Sequence, residues 1–142
     1  MALHLVKLCV GAESVEDMQR WSAARLDAMR KSGGEVQLFH TTRMVPKAID
    51  ELLDGGSLYW VIKGVIQLRQ SLVDIRPFKD GEGIRRCHLM LGNDLVLTQP
   101  QPRRPFQGWR YLKAEDAPSD LTRGDATVPA ELRNELAELG LL

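Results

Sequence analysis

SLYWVIKGVIQLRQSLVDIRPF, residues 57–78, is the stretch whose reading decides the fold. It is dense in Val, Ile, Leu and aromatic residues, which pack well on a pleated surface, so it reads as strand. Alternate residues of a strand share a face. One set, Leu58, Trp60, Ile62, Ile66 and Leu68, is wholly apolar and is expected to point into the core. The other, Tyr59, Val61, Lys63, Val65, Gln67 and Arg69, carries two cations and a tyrosine and is expected to be half exposed. Gly64 marks a bulge or a sharp bend between two strands.

Upstream, residues 3–10 alternate as a first strand. Ser14 followed by Asp17 forms a varied capping box. Val15, Met18, Trp21, Arg25 and Met29 then fall at helical spacing, which predicts a helix over 14–31 with Trp21 in the core, ended by Gly33-Gly34. Glu35–Thr41 reads as a second strand. Pro46 opens a short helix whose apolar stripe, Ala48, Ile49, Leu52 and Leu53, ends at Gly55-Gly56.

Downstream, Lys79–Gly83 is a turn. Ile84–Leu91 is a strand with Cys87, Leu89 and Leu91 on one face and Arg86, His88 and Met90 on the other. Leu95–Leu97 is a short strand after a turn at Asn93-Asp94. Gln99–Gly108 holds three prolines and is expected to be an extended loop, because proline cannot donate to a ladder. Trp109–Leu112 re-enters the sheet, residues 113–127 are polar, and Val128–Leu139 is a final helix. Consecutive strands late in the chain point to an α+β fold, a small mixed and mainly antiparallel sheet flanked by three helices, in one domain over 1–142.

The totals narrow the function classes. The chain has 142 residues and no net formal charge. The charge is uneven: residues 36–113 hold twelve Lys/Arg against seven Asp/Glu, and residues 114–142 hold two against seven. A local positive field is therefore available, unless the acidic segment pairs with the basic middle. Cys9 and Cys87 stand in apolar runs and read as buried free thiols of a reducing, cytoplasmic compartment. The N-terminus lacks a basic region and a cleavage site and is expected to be a strand, not a signal peptide. No run approaches the ~20 apolar residues of a membrane helix.

Chemical motifs are sparse. His4, His40 and His88 match no metal-ligand spacing, so no metal and no cofactor are expected. There is no GxSxG and no phosphate-cradling glycine loop before a helix. The informative constellation is cationic and aromatic: Arg43, Tyr59, Lys63, Arg69, Arg86, Arg103, Arg104, Trp109 and Arg110 are the candidate ligand-binding residues, with Phe106 among them. Cations neutralise phosphates, and aromatic and guanidinium planes stack on bases. Arg also grips small anions through bidentate contacts.

Two blocks, RMVPKAIDELLDGGSLYWVIKGVIQLRQSLVDIRPF and RPFQGWRYLKAEDAPSDL, resemble a family of alphaproteobacterial proteins catalogued as domain of unknown function 1489. That resemblance implies a cytoplasmic bacterial protein and supplies no activity. Pro46–Gly56 followed by Ser57–Lys63 is also similar to PUA-like domains of the ASCH and EVE type, which implies a small β-barrel as the alternative architecture. The ASCH pattern Gly-x-Lys-x-x-Glu-x-Arg is absent after Gly56, so no site residue transfers. Three function classes follow: a module binding RNA or an anionic nucleotide-like ligand; a small-molecule enzyme with a pocket near His40, Arg43, Lys63 and Tyr59; and a structural or regulatory partner docking through its acidic C-terminal helix.

Overall fold

The chain is described from a computed structural model that covers residues 3–121 together with Leu132 and Asn134. Residues 57–78 become two strands, which we call β3 (Ser57–Ile62) and β4 (Val65–Lys79). Lys63 and Gly64 form the turn between them, with φ of 51° and 78°. Two left-handed residues in a two-residue loop match the twist of the strands they join. Gly64 takes that conformation freely, whereas Lys63 pays for its Cβ.

This turn overturns the single-parity reading. Ile62 pairs with Val65 and Val61 with Ile66, so even- and odd-numbered residues share a face across it. The register then shifts so that Trp60 meets Leu68. Gln67 is the extra residue, and its Nε2 donates to the Ile62 carbonyl at 3.0 Å. Leu58, Trp60, Ile62 and Leu68 face the main core as expected. Ile66 instead joins Tyr59 and Val61 in a second cluster with Val6 and Leu112. The face carrying Tyr59 is not half exposed: every residue of β3 is buried.

Around this hairpin lie β1 (Leu3–Leu8), β2 (Leu38–Thr42), β5 (Arg85–Leu91), β6 (Val96–Pro102) and β7 (Trp109–Lys113). The strand order is β2-β5-β4-β3-β1-β7, with β6 also on β4. Only β1 and β3 run parallel. β4 is the spine. Val65–Arg69 lies between β3 and β6, while Leu72–Lys79 pairs with β5. A register shift between Leu72 and Asp74 leaves Val73 bulged outward and 54% exposed. A bulge bends a strand and strengthens its twist, and here it re-aims the β5–β2 half relative to the β3–β1–β7 half.

The sheet is open: β6 and β7 do not pair, and the PUA-like barrel does not form. The segment Ala114–Leu121 spans the gap. It begins as a 3-10 turn (Ala114–Asp116) and reaches β6 through Gln99 N to Ser119 O at 2.8 Å and Leu121 N to Leu97 O at 3.0 Å. Ala117 and Phe106 pack on the second cluster. The expected loop over Gln99–Gly108 needs correction as well, because β6 continues through Pro100 and Pro102. Proline is tolerated where a strand lies at a sheet edge, and the outer side of β6 carries one isolated bridge, Thr98 to Asp120.

Helix α1 (Val15–Ser32) starts and stops as its sequence implies. Ser14 Oγ accepts from Asp17 N, Asp17 in turn accepts from Glu13 N, and Gly33 closes the helix at φ 76°. Yet only Val15 and Met18 are buried, and Trp21, expected in the core, is 50% exposed. Helix α2 (Ile49–Leu53) starts three residues after Pro46. The Tyr111 hydroxyl accepts from Lys47 N and Ala48 N just ahead of it, at 3.0 and 3.2 Å. The third helix, expected over 128–139, lies outside the described residues apart from Leu132 and Asn134, which are helical. Among the described residues no helix is long and apolar enough to cross a membrane.

Candidate functional site

Between α1 and the sheet lies a cleft of about 190 Å³. β1 supplies Lys7, Cys9 follows directly after it, α1 supplies Trp21 and Arg25, and β2 supplies Phe39 and His40. Trp60 and Gln70 are also in the lining. Trp60 is fixed by a buried relay: its Nε1 donates to Gln70 Oε1 at 2.9 Å, and Gln70 Nε2 donates to the Gly92 carbonyl at 3.1 Å. Trp21 is placed by Gly11, where a Cβ would come within 2.8 Å of the indole.

His40 stands edge-to-face with Trp60, ring centroids 5.2 Å apart. Its Nε2 is buried and has no hydrogen-bond partner. Burial, then the charges of Lys7 and Arg25, pull its pKa down to about 4, so the ring is neutral at pH 7. The Arg25 guanidinium lies 5.7 Å from the centroid of Phe39. Neither Lys7 nor Arg25 makes an ion pair among the described residues. No Asp or Glu lines the cleft. The Cys9 thiol is pushed up by burial and lies 3.9 Å from Met18 Sδ, an environment that disfavours a reactive thiolate.

A second hollow, about 420 Å³ and wider open, lies beside the Ala114–Leu121 segment. His4 Nδ1 accepts from Ser57 N at 3.0 Å, which leaves any proton of the neutral ring on Nε2. Burial, then Arg69, lowers the His4 pKa. Arg69 donates to both carboxylate oxygens of Asp120 at 2.8 Å and to Ser57 Oγ at 3.0 Å. Arg69 holds the Asp120 carboxyl below its usual range, while burial raises Tyr59.

The residues singled out from sequence divide into three groups. Tyr59 and Trp109 are buried, 5% exposed each, and Trp109 Nε1 donates to the Met44 carbonyl at 2.8 Å. Arg69 is occupied by Asp120, and Arg86 by Asp80 at 2.6 Å at the far end of the β4–β5 hairpin. Arg43, Lys63, Arg104 and Arg110 are exposed and Arg103 is half buried. Arg103 N donates to the carbonyl of Gly64, the residue after Lys63, at 2.8 Å. Arg110 lies over Phe106, 5.7 Å from the ring centroid. Arg43, on the loop after β2, is not part of that group, and His40, Arg43, Lys63 and Tyr59 line no common pocket.

A family model described as a protein of unknown function, DUF1489, matches residues 5–142. The chain belongs to the DUF1489 family. No curated protein and no solved structure matches it.

In this DUF1489 chain, sequence reading missed Lys7, Trp21, Arg25, Trp60 and Gln70 as parts of one cleft. Two signals were present. Arg25 falls at the helical spacing of the apolar residues of α1, where a cation stands out. His40 shares strand parity with the buried Leu38 and Thr42, which places a titratable ring on the core side.

Proposed function

We propose that this DUF1489 protein is a small-molecule-binding module whose ligand enters the cleft between α1 and the sheet. The observation that carries this reading is the cleft itself: a concave, largely apolar space with aromatic walls and a histidine whose Nε2 has no partner. Such a pocket with a few convergent polar groups is the default binding-site hypothesis for a fold of open function. The reading is of binding and not of nucleophilic catalysis, because the cleft's cysteine is disfavoured as a thiolate. Small neutral aromatic fragments, such as phenol and benzyl alcohol, are expected to shift the indole N–H resonances of Trp21 and Trp60 in a two-dimensional NMR spectrum. If a fragment set leaves both indoles unmoved, the cleft is not a ligand site.

A second reading is binding of single-stranded RNA at the end of the sheet where Lys63, Arg103 and Arg104 gather. The Arg110–Phe106 pair supports it, since a cation over a half-buried ring can stack a base. Tyr59, Arg69, Arg86 and Trp109 drop out of this surface because their burial or ion pairs occupy them. Fluorescence anisotropy with a labelled single-stranded RNA at low salt tests it. Arg103→Ala/Arg104→Ala should abolish binding, and absence of binding by the unmutated protein would end this reading.

A further inference from the structure

Resting on the reading of the cleft as a ligand site, we propose that its ligand is a small monoanion built on one aromatic ring, with its carboxylate toward Lys7 and Arg25. Three observations carry this.

Size comes first. A cavity of about 150 Å³ accommodates benzene, and this one measures about 190 Å³. One ring and one small substituent fit within it.

Charge comes second. The lining holds two cations and no carboxylate. Three cations of β4 and β5 are matched, Arg69 by Asp120, Arg86 by Asp80 and Arg76 by Asp74, whereas exposed cations such as Arg43, Lys63, Arg104 and Arg110 make no ion pair among the described residues. What sets the cleft apart is two unpaired cations converging on one imidazole. Lys7 and Arg25 have no such partner among the described residues, although they approach the same buried imidazole from different elements and depress its protonation together. A ligand carboxylate between them supplies the missing counter-charge, beside low-dielectric walls where Coulomb attraction is strengthened. Arg presents a fork of donors suited to a carboxylate.

Wall chemistry comes third. Trp21 is half exposed, and Gly11 leaves no room for a side chain behind it, so the indole is positioned but not covered. With Phe39 beneath Arg25 and Trp60 behind His40, the space is bounded by aromatic surface. Ring edges and faces favour an aromatic guest over an aliphatic one of equal size.

The experiment compares three probes of nearly equal volume: benzoate, benzamide and cyclohexanecarboxylate. Each is titrated into the full chain at low salt and followed by the Trp21 and Trp60 indole signals. Benzoate should bind at least tenfold more tightly than benzamide and several-fold more tightly than cyclohexanecarboxylate. Arg25→Gln, at an exposed helical position that should leave the circular dichroism spectrum intact, should bring benzoate down to the level of benzamide; Lys7→Gln should do the same in part. Equal binding of benzoate and benzamide overturns the anion assignment while leaving the cleft a ligand site. Equal binding of the two carboxylates overturns the aromatic assignment. Benzoate selectivity that survives both substitutions places the charge recognition elsewhere and overturns the proposal. If all three probes and the neutral fragments leave the indoles unmoved, the underlying reading of the cleft fails instead.

Discussion

His40 makes folding sensitive to acid over a defined range. Its pKa falls from 6.5 to about 4 on folding, because burial and the charges of Lys7 and Arg25 penalise the imidazolium. Below pH 6.5 the unfolded chain takes up a proton that the folded chain refuses until about pH 4. The unfolded state therefore binds more protons, and stability falls as the pH drops through this window. Each pKa unit corresponds to about 1.4 kcal/mol, so the full shift is worth about 3 kcal/mol; solvent reaching the open side of the cleft trims it to about 2–3 kcal/mol. Urea unfolding of the wild type and of His40→Gln at pH 7.5, 6.5, 5.5 and 4.5 isolates this contribution, because His4 and the carboxylates titrate in both proteins. The stability difference between the two should move by about 2–3 kcal/mol in favour of the variant as pH falls. Parallel pH profiles would refute the argument, and with it the burial of His40 as a neutral group.

Other substitutions probe the frame and the site separately. At Gly56 an added Cβ would lie 2.2 Å from the Leu52 carbonyl and 2.3 Å from the Leu3 carbonyl, so Gly56→Ala should cost about 2–4 kcal/mol in urea unfolding, as backbone must move. Gly11→Ala should displace the Trp21 ring and change its fluorescence maximum while costing about 1 kcal/mol, given the strained φ of 97°. Asp120→Asn leaves Arg69 without its bidentate acceptor and should cost about 1 kcal/mol at pH 7, the pair being partly exposed; because the Asp120 pKa is lowered in the fold, that difference should fade as the acid is titrated below pH 4. Lys63→Asn puts a residue that tolerates the left-handed region at φ 51° and should stabilise by about 0.5–1 kcal/mol, read as a raised denaturation midpoint.

Several elements were legible from residue order because the determinants are local. Ser14, Asp17 and Gly33 bracket α1 through contacts within a single turn, and Gly64 was readable as a bulge or a bend between two strands. The failures have a common cause in pairing between distant residues. Parity along 57–78 breaks because a two-residue turn and the Gln67 bulge each shift the count by one, and only the partner strand reveals both. Pro100 and Pro102 fit in β6 because that strand lies at an edge, which its own sequence does not declare. Trp21 follows the helical spacing but flanks the inward line of Val15, Met18 and Leu26, so it borders the cleft instead of entering the core. The α+β class was readable from element order; the choice between open sheet and barrel depended on whether β6 and β7 meet. Of the candidate site, His40 was on the page as a residue, but its companions come from β1, α1, β3 and β4 and converge only in three dimensions.

The position of β1 has a consequence for synthesis. Leu5 finds one neighbour in Leu58 and the other in Tyr111. A ribosome adding about 5–20 residues per second therefore holds an apolar strand unpaired on one side for roughly 3–10 seconds after its first partner emerges. During that interval the nascent chain presents a sticky ribbon to its surroundings, and completion of the sheet waits on the last strand described. Refolding from denaturant should be correspondingly slow, limited by closing the chain's two ends together rather than by forming its hairpins.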